Sequence, residues 1–223
     1  DLFYELLLPD KVAAYIQDFS DVVARVIAEW GDAGQLNVFD AIRTLEQRVG
    51  FKVWIGEEAT QDGVWQQFKT HFDVLSQENA FVSPQQTLET LTSGKAKEKQ
   101  AVAEIMSLVG NIMAQREASQ SWPDDNFTFL YQRFKSYDPQ VTLRKLTHNI
   151  INANQGFLSN LYAALCWSLI NLKQHQDIQQ RLEAEIAATK ETFGDNFHES
   201  QDALDSMRFC EQLLMESVRL AQR

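Results

Sequence analysis

Glu216 and Arg219 stand three apart in the stretch "MESVRL", flanked by Leu213, Leu214, Val218 and Leu220. On a helix this spacing brings a carboxylate and a guanidinium to one face, where they can pair. Such a pair braces a fold or decorates its surface; it performs no bond chemistry by itself. The other reactive groups are scattered. His71, His148, His175 and His198 show no His-Glu-x-x-His spacing and Cys166 and Cys210 no paired-cysteine spacing, so the chain alone offers no metal site. A Gly-x-Ser-x-Gly elbow and a glycine-rich phosphate loop are also missing. Both cysteines lie in apolar helical runs and read as buried free thiols. The single Asn-x-Thr sequon, Asn126-Phe127-Thr128, is what chance supplies.

The elements that carry these groups are helical. Glycine (9) and proline (4) are too scarce for the turns of a sheet protein, while Gln, Glu, Ala and Leu recur throughout. With 223 residues, 44% of them hydrophobic, the chain can bury a core, expected here as a single helical region over 1–223. A net charge of −11 gives no general attraction to phosphate backbones or anionic lipid, which argues against a nucleic-acid partner. No apolar run reaches the roughly 18 residues of a membrane span. Free thiols point to a reducing, cytoplasmic location.

Apolar periodicity predicts helices over about 9–30, 37–56, 62–77 and 95–118. On the first, Val12, Ile16, Phe19, Val23, Val26, Ile27 and Trp30 form the core stripe. Gly56 closes the second as a C-cap. Between the third and fourth, "ENAFVSPQQTLETLTSGKAK" loses its periodicity and reads as a mobile connector. "SQSWPDDN" is a loop whose aspartates cap a short helix beginning near residue 126. Pro139 then opens the longest helix, to about Lys173, interrupted only by Gly156. Its middle, "FLSNLYAALCWSLINL", is apolar nearly all round, as in a helix at the centre of a large domain. A helix over about 177–193, a loop "GDNFHES" and a final helix from Asp205 or Ser206 complete the chain.

This order, with "QQRLEAEI" (179–186) followed by "SMRFCEQLLMESVRL", resembles the cytochrome P-450 superfamily of haem-thiolate monooxygenases. The likeness runs from about the family's C/D helices through its K helix: 139–173 is similar to the I helix, 177–193 to the J helix and the last segment to the K helix. It implies an all-α fold, the central part of the cytochrome P-450 architecture, with a long buried I helix and amphipathic helices packed on it. It also implies an incomplete domain. The family's N-terminal part and the glycine-rich loop bearing the axial Cys have no counterpart in this chain, and neither Cys166 nor Cys210 stands in such a loop.

Residue roles follow from the resemblance. Glu216 and Arg219 become the buried K-helix pair that braces the cofactor loop. On the I helix the family's Ala/Gly-Gly-x-Asp/Glu-Thr pattern, whose acid and alcohol relay protons for O–O cleavage, falls on "GFLSN". Gly156 and Phe157 then lie against the haem, and Ser159 and Asn160 occupy the catalytic acid and alcohol positions. Neither hydroxyl nor amide titrates near neutrality. An alternative register, "ANQGF", is equally devoid of acid. The intact protein is thereby expected to oxidise a hydrophobic small molecule, using haem and an electron-transfer partner, a ferredoxin or flavoprotein. Residues around 77–97 would be its access lid, and the isolated chain would be inactive. Two alternatives stay open: a haem-thiolate enzyme using peroxide or rearrangement chemistry, and a haem-less helical interaction module.

Overall fold

The structure is a computed structural model describing residue 5 and residues 9–31, 34–76 and 95–221, with the side chains of 9, 10, 12, 157–160 and 221 outside that description. Among the described residues there is no strand, as an all-α fold requires. The helices are α1 (Pro9–Trp30), α2 (Val38–Ile55), α3 (Val64–Ser76), α4 (Ala96–Ser119), α5 (Asn126–Phe134), α6 (Pro139–Gln174), α7 (Gln176–Phe193), α8 (Gln201–Ser206) and α9 (Arg208–Ala221). Two 3-10 turns, Glu57–Thr60 and Phe197–Glu199, join them. The contacts cluster in two compact units, Asp1–Val49 with Ser159–Arg223, and Gly50–Leu158.

Helix ends are set by local chemistry. Asn37 starts α2 by accepting hydrogen bonds at Oδ1 from the amides of Phe39 and Asp40. Gly56 ends it at φ +109°, its N–H donating to the carbonyls of Phe51 and Lys52. Asp125 caps α5 by accepting from the Thr128 amide at 2.8 Å. α8 was not anticipated as a separate helix; Ser200 caps it, and Met207 breaks the chain direction before α9.

In the second unit, Phe51, Phe68 and Phe72 form a fully buried aromatic cluster with ring centres 5.0–6.5 Å apart, and α3 packs on α4 through it and Ile105 and Val109. Asn126, the asparagine of the sequon, is buried and donates from Nδ2 to the Val53 carbonyl, so it serves the fold and is closed to modification. In the first unit, α1 packs against the Phe197–Glu199 turn and α7 against α9. The expected α1 stripe is only partly core: Val22 and Val26 are buried while Ile27 is 50% exposed. Ile27 instead lines an apolar groove of about 540 Å³ with Ile16, Phe19, Val23 and Leu204.

α6 runs 36 residues, about 54 Å at the helical rise. Its C-terminal half departs from the all-round burial read from its composition. Ala164, Cys166 and Ser168 are buried, but Trp167 and Leu169 are 43% and 40% exposed. Small residues make the packed stripe, and Trp167 and Leu169 point outward.

Candidate functional site

The centre of α6 is where the sequence places chemistry. Around it the helix presents two different faces. Asn154 is fully buried in the second unit; its Nδ2 donates to the Ile150 carbonyl at 2.9 Å and no protein group reaches its Oδ1. Two residues on, about 200° around the helix, Gly156 is exposed, and a Cβ added there would meet nothing within 4 Å. The two registers are therefore not equivalent: a group approaching at Gly156 does not meet Asn154. Phe157, Ser159 and Asn160 are helical in backbone, and their side chains lie outside the described residues. Most of the expected access lid, 77–94, lies outside them too, while Ala96 and Lys97 already belong to α4.

Glu216 and Arg219 do pair on α9. Arg219 Nε donates to Glu216 Oε2 at 2.6 Å, and its Nη2 closes a second bond to Oε1. The pair is not buried in this chain: its side chains are 51% and 50% exposed. The reason is the helix stripe. Leu213 and Ser217 face inward, Ser217 accepting from Asn171 Nδ2 at 3.2 Å, which turns Glu216, Arg219 and Met215 to the outside.

Three polar arrangements escaped sequence reading. The first is Arg116, 2% exposed near the end of α4. Its guanidinium is gripped bidentately on two sides: Nε and Nη2 donate to Glu58, both at 2.7 Å, and Nη1 and Nη2 donate to Asp125 at 2.9 and 2.7 Å. It also donates to the Ile55 carbonyl and lies over the Phe127 ring. Burial alone would raise the Glu58 carboxyl, but Arg116 outweighs it and holds that carboxyl below the ordinary value. Gly56 makes room for this knot, since a Cβ there would fall 2.5 Å from Arg116 Nη2.

The second is Glu185 of α7. Its carboxylate accepts from the amides of Phe209 and Cys210 at 2.7 and 2.8 Å, capping α9 from another helix. Arg181, one turn earlier, stacks on Phe209 at 4.2 Å. The segment "QQRLEAEI" thus positions the start of the helix that carries Glu216 and Arg219. Only the i, i+4 spacing of Arg181 and Glu185 hinted at a shared target.

The third is Glu46, 2% exposed in α2, both of whose oxygens lack a protein donor. Burial pushes its carboxyl up to about 8 despite the nearby Arg43.

The sequence profile of the family Cytochrome P450 matches residues 15–222. The chain belongs to that family. Sterol 14alpha-demethylases of Mycobacterium bovis and of two strains of Mycobacterium tuberculosis are similar to this cytochrome P450 chain, 22% identical over 213 residues. The match takes in 95% of this chain and 47% of each relative, so the chain spans about half the length of the curated relatives it matches. Membership implies a haem cofactor, and the open face at Gly156 fits a flat group lying against α6. Neither cysteine is held as a thiolate by its protein surroundings. Cys166 is 1% exposed, and burial, then the charge of Glu46, push its thiol up; burial and Glu185 do the same to Cys210.

Proposed function

We propose that the intact protein carrying this chain is a haem-thiolate monooxygenase of a hydrophobic small molecule, with the axial Cys supplied from outside the chain. The observation that carries this reading is the family match over 15–222, together with the room at Gly156, where an added Cβ would meet nothing within 4 Å. The likeness to sterol demethylases supports an apolar substrate class. When bound, the haem would supply the oxidising chemistry. Gly156 and Phe157 would face it, Ser159 and Asn160 would stand at the proton-relay positions, and a ferredoxin or flavoprotein would deliver electrons. No helix among the described residues is long and apolar enough to cross a membrane, and the free thiols Cys166 and Cys210 suit a cytoplasmic setting. On this reading 1–223 is an incomplete domain, inactive alone, and Glu216 and Arg219 brace the cofactor loop once further chain covers α9. The test is absorbance of the intact protein, reduced under carbon monoxide. A red-shifted Soret band is expected; haem bound without it refutes thiolate ligation, and no haem at all favours a haem-less helical module.

A second reading rests on Ser159 and Asn160. With no acid at these positions, oxygen-driven turnover should be poorly coupled, and peroxide or rearrangement chemistry becomes the natural use of the site. Ser159→Asp with Asn160→Thr should raise product formed per reduced nicotinamide consumed. Efficient coupling in the wild type that falls in the double variant would show that protons travel elsewhere.

A further inference from the structure

Glu46 needs an explanation that haem chemistry does not supply. A carboxylate without a hydrogen-bond donor is among the costliest groups to bury, and proteins respond by keeping it protonated. Glu46 sits in α2 where the first unit brings that helix to α6: Phe39 meets the Tyr162 ring at 6.4 Å, and Arg43 lies over the same ring at 5.1 Å. Arg43, one turn before Glu46, is thus engaged with Tyr162 and gives the carboxyl no hydrogen bond. From α6, Tyr162 and Cys166 face this cluster, one turn apart, and Cys166 feels the Glu46 charge. Arg43, Tyr162 and Cys166 are the charged and titratable groups coupled to this cluster among the described residues.

We propose that Glu46 is a proton-controlled latch between α2 and α6: carrying its proton it keeps Cys166 shut in, and losing the proton parts the helices and opens Cys166 to solvent. The reasoning is one of alternatives. An ionised Glu46 must gain water or a cation. Glu46 is 2% exposed, so water reaches it only if the packing around it loosens, and α6 meets α2 one turn away at Arg43 and Tyr162. Cys166, which feels the Glu46 charge from α6, is itself 1% exposed. The competing route is for Arg43 to leave Tyr162 and pair with Glu46, which would satisfy the charge with the seam intact. The latch is independent of the haem reading, since all four groups belong to the first unit of this chain.

The experiment is alkylation of Cys166 in the intact protein, followed by peptide mapping and expressed relative to the denatured protein at the same pH, which divides out the ionisation of an exposed thiol. One-proton opening raises the relative rate by at most about tenfold per pH unit. A rise of at least about tenfold from about pH 7 to pH 9 is expected in the wild type, with a flat profile in Glu46→Gln and in Glu46→Met. A flat wild-type profile, the outcome if Arg43 swings across, overturns the latch without need of any variant. An equal rise in either Glu46 variant overturns it too.

Discussion

Replacing Arg116 by Met should be the most damaging single change in the second unit at neutral pH. Methionine keeps much of the aliphatic volume and removes the guanidinium, leaving Glu58 and Asp125 with side chains only 17% and 18% exposed and no cation between them. Breaking a buried ion pair from one side costs about 3–5 kcal/mol, because the surviving charges keep their desolvation penalty. Partial exposure of the two acids favours the lower end, about 3 kcal/mol, or roughly 6–12 °C in melting temperature for a chain of this size. The pH dependence should change shape. In the wild type Glu58 has a depressed folded value, so its contribution is present above its unfolded value of 4.5 and fades as pH falls through the folded one. In the variant Glu58 loses the guanidinium that holds its carboxyl down and protonates more easily, so the deficit against wild type should shrink from about pH 7 to pH 5. Arg116→Lys should fall between, since an ammonium keeps the charge and loses the fork. Thermal melts over that range are the assay. A Met variant melting within about 2 °C of wild type at pH 7 would show that the four-bond grip carries no net energy.

Glu46→Gln should stabilise the chain at alkaline pH. The folded carboxyl is raised from 4.5 to about 8, so the wild type holds its full stability below 4.5 and loses on the order of 5 kcal/mol as pH climbs to about 8, whereas the amide loses none; denaturant melts at pH 5 and 8.5 that stay parallel for the two proteins would refute this. Glu185→Gln should cost about 1–2 kcal/mol by weakening the two-amide cap of α9, with amide exchange quickening at Phe209 and Cys210 before anywhere else in that helix. Glu216→Ala should leave the melting temperature of chain 1–223 nearly unchanged because its partner Arg219 faces solvent, and a large drop would place the pair in a buried setting.

Residue periodicity determined the helices apart from α8. Pro9, Gly56, Asp125 and Pro139 mark ends within a residue of where they occur, because caps and breakers act through bonds to their own neighbours in sequence. The same locality let the spacing of Glu216 and Arg219 foretell their pairing. Word-like segments on α7 and α9 carried the family assignment, since each helix must present particular residues to the other. Burial was different in kind. Whether Glu216 is covered, whether Trp167 and Ile27 face core or solvent, and which acids meet Arg116 depend on what packs across a helix face. Partners 58 residues apart, as Glu58 and Arg116 are, leave no periodic trace. Glu46 shows the limit most directly: nothing in "RTLEQRV" distinguishes a solvated glutamate from one sealed between helices. The free energy that separates the two comes from the dielectric around the carboxyl, and only the packed chain creates that.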